Sequence, residues 1–227
     1  RAIVKREHRA GLHVSSYVAA HLIYQMILCA LQALITIEVC RVMGVAYPAK
    51  GVIFEEFSPD LFITLFLITY SADVVALMIS AIVHTPMAAM TVMPFVLIIQ
   101  LVFAGFFSLP DRLEQVSDLM ISRWGVQGIC VLADYNELPA VLVWNSLVKN
   151  GATLEVEGVS LKDVLAIAEE EGMKDEILLR LGEANRRDDF ASTAENLADC
   201  WIHLAIFTVV AAVITMFFLE FIDRDRR

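Results

Sequence analysis

The sequence predicts an all-α polytopic membrane protein: four transmembrane helices, an outer re-entrant or interfacial helical region, and a small extracytoplasmic helical insertion. Three observations predict it. First, 58% of the 227 residues are hydrophobic and 19% are charged, with a mean hydropathy of +0.67, whereas soluble domains hold about 45–50% apolar and about 25% charged residues. Second, four segments reach or approach the roughly 20 apolar residues that a membrane helix needs. Third, cations collect at the two ends of the chain and acids in one long loop.

Taken in order, residues 1–16 form a charged connecting segment, with Arg1, Lys5, Arg6 and Arg9 ahead of Gly11. The first span covers about 17–45; its apolar run is too long for a cleavable signal peptide, and no small-residue cleavage site follows. The second span covers 61–83 and the third 87–107, with a turn at His84–Pro86 between them. Pro94 removes a backbone donor inside the third and is expected to kink it. The last span and its basic tail occupy 200–227, where Arg224, Arg226 and Arg227 close the chain. Cations flanking both ends of an even number of spans place both termini in the cytoplasm. The protein is then a multi-pass component of the cell membrane.

The segment 108–199 lies outside on this reading. From Leu109 to Asp199 it carries 18 acidic and 8 basic residues, which matches the whole chain's net charge of −10. That balance argues against a nucleic-acid partner. Up to about 144 the segment is moderately apolar, and Leu113, Val116, Leu119 and Met120 recur at helical spacing, which predicts a short amphipathic helix at the interface. Trp124 and Trp144 suit an aromatic belt, and Trp201 marks the outer end of the last span. From 145 to 199 the chain reads as a soluble helical insertion. One helix starts at a capping box formed by Ser160 and Asp163 and stops at Gly172; a second follows in "MKDEILLRLGEAN".

Two stretches carry a family resemblance. "KREHRAGLHVSSYVAAHLIYQ" (Lys5–Gln25) resembles the cytoplasmic connector and following span of ABC-2-type transporter permeases, in particular the ABCG-like group. "ALMISAIVHTPMAAMTVMPFVLIIQLVFAGFFSLPDRLEQVSDLMISRWGVQGI" (Ala76–Ile129) is similar to that family's next helices and outer region, with Phe103, Gly105 and Phe106 followed by Pro110 and Trp124. The resemblance leaves out the insertion around 150–197. It implies that the four spans correspond to the last four of six, with short outer helices that dip back into the membrane. With Arg rather than Met at position 1, the first two spans and any nucleotide-binding domain are expected upstream of Arg1. The resemblance further implies an ATP-driven exporter of a hydrophobic or lipid-like substrate, which works with a nucleotide-binding domain or subunit and a second permease half, as a homodimer or heterodimer. ATP and Mg would sit on that partner; this chain contributes no cofactor. Lys5, Arg6, Glu7 and Arg9 would then belong to the helix that couples to the ATPase. The alternative reading makes the same cations simply a positive-inside topogenic cluster.

Ionisable and polar residues at membrane depth are the remaining candidates, because a charge there costs roughly 2.5–3.5 kcal/mol on insertion scales. Asp73 shares a face of the second span with Thr69, Ala76 and Ser80; it either contacts a cationic substrate or pairs with a neighbouring helix. His21, Gln25 and Gln32 share a face of the first span and either line a path or bond between helices. Glu38 and Arg41 are spaced for an intrahelical ion pair, and His203 reads as a packed histidine. Met87, Met90 and Met93 read as packing, or as a flexible surface for apolar substrates. The cysteines have no metal spacing, while Cys130 and Cys200 both fall where an oxidising compartment permits a disulfide. No catalytic motif occurs: GxxxxGK[ST], GxSxG and HExxH are absent from the sequence. Two other classes fit the same composition: a membrane sensor whose acidic insertion binds a ligand, and a structural subunit of a membrane complex.

Overall fold

The computed structural model describes residues 13–45, 47–48, 50–83, 85–105, 115–138, 141–142, 144–145, 155–156, 159–182 and 186–221. Three long apolar helices dominate: α1 (Val14–Val42), α2 (Phe57–Ile82) and, late in the chain, α7 (Ala194–Phe221). Each is long and apolar enough to cross a membrane. At 1.5 Å per residue, the 29 residues of α1 reach about 44 Å, more than the ~30 Å hydrocarbon core. Between α2 and α7 lie α3 (Pro86–Val102), α4 (Ile121–Leu132), a hairpin of β1 (Glu155–Val156) and β2 (Val159–Ser160), α5 (Leu161–Glu170), α6 (Lys174–Gly182) and a 3-10 turn at Asp188–Phe190. The all-α membrane class therefore stands, with one two-residue-per-strand hairpin added.

α2 is the central element. It packs on α1, α4 and α7. Val74 of α2 meets Ala211 and Ala212 of α7 and Leu22 of α1 in one layer; Phe57 meets Val131, Leu132 and Leu197 in another. These pairings make α2 and α7 parallel and α1 antiparallel to both. The start of α1 and the end of α7 consequently share one end of the bundle.

α4 runs antiparallel to α2 in the seam between α2 and α7. A Cβ on Gly125 would lie 3.3 Å from Ile68, and one on Gly128 would lie 3.3 Å from Thr64 and 3.6 Å from Cys200. The two glycines let α4 approach both neighbours at backbone distance. Ile68 lies eleven residues along α2, so Gly125 of α4 sits roughly 16 Å in from that helix's first residue. The short helix is thus docked along the length of α2 and not only at its end.

Several boundaries differ from the sequence expectation. Residues 14–16 belong to α1 and not to the connecting segment, and residues 57–60 add a first turn to the second span. The third span stops at Val102, and its 17 residues reach about 25 Å. It begins at Thr85, whose Oγ1 accepts from Ala88 N at 3.2 Å, with Pro86 next. Its last carbonyls are taken by side chains from the next segment: Ser122 Oγ donates to Gln100 O at 2.6 Å and Ser117 Oγ to Phe103 O at 2.8 Å. Those caps end the helix. Of the amphipathic helix expected around 113–120, residues 115–117 are helical, and residues 113 and 114 lie outside the described residues. The last span starts seven residues before Trp201, at Ala194, because Leu197 and Cys200 are fully buried and Thr193 Oγ1 accepts from Asn196 N at 3.3 Å.

The insertion carries a core of its own. Trp144, only 2% exposed, packs with Leu165, Ala168, Ile177 and Leu178. Trp144 thus lies in this small core and not in an aromatic belt, with Lys174 Nζ 5.8 Å from its ring centroid. α5 starts directly after Ser160 and ends before Gly172, whose φ of +72° suits glycine. The capping side chains of Ser160 and Asp163 lie outside the described residues, as do His84, Leu113 and the basic tail beyond Phe221.

Candidate functional site

Two of the polar residues singled out in the spans, Gln25 and Asp73, meet. Gln25 Nε2 on α1 donates to Asp73 Oδ2 on α2 at 2.5 Å, and Cys29 Sγ, one turn further along α1, donates to the same oxygen at 3.1 Å. Tyr70 OH, one turn before Asp73, donates to Leu22 O at 3.4 Å. Asp73 is half-buried and Cys29 almost fully buried. Two donors on one carboxylate oxygen are what an acid in an apolar helix requires. This geometry supplies the neighbouring-helix partner that one of the two readings for Asp73 calls for.

The other span candidates do not join it. His21 is half-buried one turn before Gln25, whereas Gln32 and Ser80 are exposed on α1 and α2. Beside the polar seam, Met26, Ile27 and Ala30 of α1 and Phe62 and Phe66 of α2 line an apolar groove of about 210 Å³. Phe62, Phe66 and Tyr70 stack in series along α2, with centroids 6.3 and 5.6 Å apart. Met87 and Met90 are three-quarters exposed, so neither packs within this chain. Lys5, Arg6, Glu7 and Arg9 lie outside the described residues.

At the opposite end of the bundle from the termini, three polar arrangements escape a sequence reading. Asp60 has no exposed surface; its Oδ2 accepts from Val52 N at 2.6 Å and Ile53 N at 3.0 Å, and Phe54 N lies at 3.4 Å. A Cβ on Gly51 would fall 2.5 Å from Phe54 O and Glu56 O and 2.6 Å from Asp60 Oδ2, so only glycine fits this turn. Trp201 Nε1 donates to Thr64 Oγ1 at 2.8 Å, which itself donates to Asp60 O. Finally, Arg123 of α4 pairs with Asp118 at 3.0 Å and Asp189 at 3.5 Å. Acidic residues near a helix start were legible in the sequence; their backbone partners and the Arg123 pairing, 66 residues apart, were not.

Two side-chain contacts match the spacing in the sequence. Glu38 and Arg41 pair at 3.0 Å on the exposed end of α1. His203 stacks face to face on Trp124 at 3.6 Å, with Nδ1 2.8 Å from Asp199 O. Cys130 and Cys200 are both buried free thiols, so the permitted disulfide is not formed. No cluster of potential metal ligands occurs among the described residues.

A membrane unit built mainly of helices, with α4 docked between α2 and α7 and a polar seam joining α1 to α2, surrounds these residues. The sequence pattern described as ABC-2 type transporter matches residues 1–132. The chain belongs to the ABC-2 type transporter family. The match ends at the last residue of α4, so α1 to α4 make up the family region and residues 133–227 lie beyond it. No curated protein and no solved structure matches the chain. This ABC-2 chain is a membrane permease domain, and its polar seam joins the first two helices of the family region.

Proposed function

We propose that this ABC-2 permease domain is the transmembrane half of an ATP-driven, ABCG-like exporter that moves a hydrophobic or lipid-like substrate across the cell membrane. The observation that carries the reading is the family match across α1 to α4. The shared end of α1's start and α7's end supports cytoplasmic termini, because the basic residues Arg1, Lys5, Arg6, Arg9, Arg224, Arg226 and Arg227 would then lie on one side. Lys5, Arg6, Glu7 and Arg9 would dock the nucleotide-binding domain or subunit, which carries ATP and Mg.

A second permease half completes the path in this reading, with lipid around the rest of the surface. The apolar groove between α1 and α2, with a stack of aromatic rings, supports an apolar substrate in preference to an ion. His21, Gln32 and Ser80 would face the path, while Gln25 and Asp73 hold its wall together. Conformational cycling would follow ATP binding through the differential stability of the two states.

The test is reconstitution of the transporter purified from its native membrane together with its bound partners. ATP hydrolysis stimulated by a hydrophobic substrate, and lost on charge reversal of Lys5, Arg6 and Arg9, is the expected result. A preparation with no copurifying ATPase and no ATP-dependent transport would overturn the reading.

A further inference from the structure

The short segment that precedes α7, residues 187–191, binds three separate parts of the chain. Asn136, 6% exposed, holds the Arg187 backbone from both sides: its Nδ2 donates to Arg187 O at 3.0 Å, and Arg187 N donates to its Oδ1 at 3.1 Å. Arg187 Nη1 then donates to Gly105 O at 2.6 Å, just past the end of α3. The guanidinium also covers the Phe190 ring at 4.5 Å, and Phe190 meets Tyr135 edge to face at 5.6 Å. Asp189 reaches Arg123 at 3.5 Å and Arg187 at 3.7 Å. From α7, Asn196 Nδ2 donates to Asp188 O and Ala191 O, both at 3.0 Å. The end of α3, both ends of α4 and the start of α7 are therefore tied through five residues.

Two properties distinguish this strap from the apolar packing around it. Its bonds are directional and converge, so α3 and α4 cannot part from α7 while they are made. They are also accessible: the side chains of Arg187 and Asp189 are 36% and 45% exposed, and Arg123 is 12% exposed. Water can replace the partners of the first two when the strap opens, so release carries little of the desolvation penalty of a buried ion pair.

We propose that residues 187–191 form a reversible latch on the end of the permease remote from its termini, closed here, which must release for the α3–α4 pair to move away from α7 during turnover. The inference rests on the transport reading above. It assigns a role to a segment that lies beyond the family region, and makes Arg187, Asp189 and Asn136 positioning residues for the gate.

The test uses the full transporter with its ATPase partner and Cys40→Ser, which removes the native thiol that is not buried. Tyr135→Cys and Phe190→Cys are bridged with a short bis-methanethiosulfonate, which forms a reducible disulfide with each thiol and releases methanesulfinate. The expected result is intact assembly and nucleotide binding, with turnover lowered by at least about tenfold, as when a gating step is blocked, and restored by reductant. Bridged protein that turns over at the reduced protein's rate overturns the latch and leaves the transport reading standing. Cys40→Ser protein without the pair that never turns over overturns the transport reading itself, and the latch with it. An independent measurement guards against misfolding of the cysteine pair: Asn136→Ala should speed hydrogen exchange at residues 187–191 by about tenfold while exchange in α2 is unchanged. Identical exchange in Asn136→Ala and the parent overturns the strap.

Discussion

Asp73 carries a carboxylate into the apolar length of α2, and the donors that meet it, Gln25 and Cys29, come from α1. An asparagine at this position still presents an oxygen to both donors, whereas a leucine leaves the Gln25 amide without its acceptor. Asp73→Asn is therefore expected to keep the melting temperature in detergent close to the parent's. Asp73→Leu should destabilise by ~1–2 kcal/mol, in the upper range for interhelical bonds in membranes. A larger loss for Asp73→Asn than for Asp73→Leu would mean that the charge itself is structural. The face that Asp73 occupies was legible from the spacing of Thr69, Asp73 and Ser80; its partner was not, because spacing on one helix cannot say how another is rotated. Asp60 shows the same limit more sharply. It reads as one more acid in an acidic loop, yet it is fully buried and organises the turn at residues 51–54.

At the scale of elements, the long spans are legible because apolar length is a direct requirement of the bilayer. α4 is not, because the residues that make it work interrupt its apolar pattern: Gly125 and Gly128 supply close approach, and Ser122 caps α3. The glycines also make α4 sensitive to volume. Gly128→Leu would drive a side chain into Thr64 and Cys200, and overpacking of that kind costs about 1–3 kcal/mol. The expected readout is reactive Cys130 and Cys200: both thiols are buried in the parent and should label with a membrane-permeant maleimide in Gly128→Leu. Unchanged protection would show that α4 does not lean on this contact. Trp144 and Trp201 mark a further limit of pattern reading. An aromatic residue beside a span is equally suited to a belt, to a small core or to a hydrogen bond, and these two take the second and third of those places.

Across the whole molecule, the insertion and the spans have separate cores. The cluster around Trp144, Leu165 and Ala168 shares no residue with the two clusters among the helices. Trp144→Ala, which removes the largest member, should cost ~3–5 kcal/mol locally and open residues 161–182 to limited proteolysis while α1 to α4 stay protected. Proteolysis that spread into α1 and α2 would show one cooperative unit instead. The charge asymmetry between the acidic segment 109–199 and the basic ends was readable, since it depends only on composition. The strap of residues 187–191 was not, because "RRDD" has the look of a solvated charge run until Asn136, Gly105 and Arg123 are brought to it.

The bond between Trp201 and Thr64 closes a loop of 137 residues. During synthesis at about 5–20 residues per second, α2 emerges roughly 7–30 seconds before its central partner exists. For that interval the nascent chain holds α2 with one flank bare in lipid. Thr64 waits without penalty, because its hydroxyl already donates to Asp60 O within its own helix. The ribosome thus delivers the two parallel spans far apart in time, and biogenesis depends on whatever occupies the vacant flank until α4 and α7 arrive.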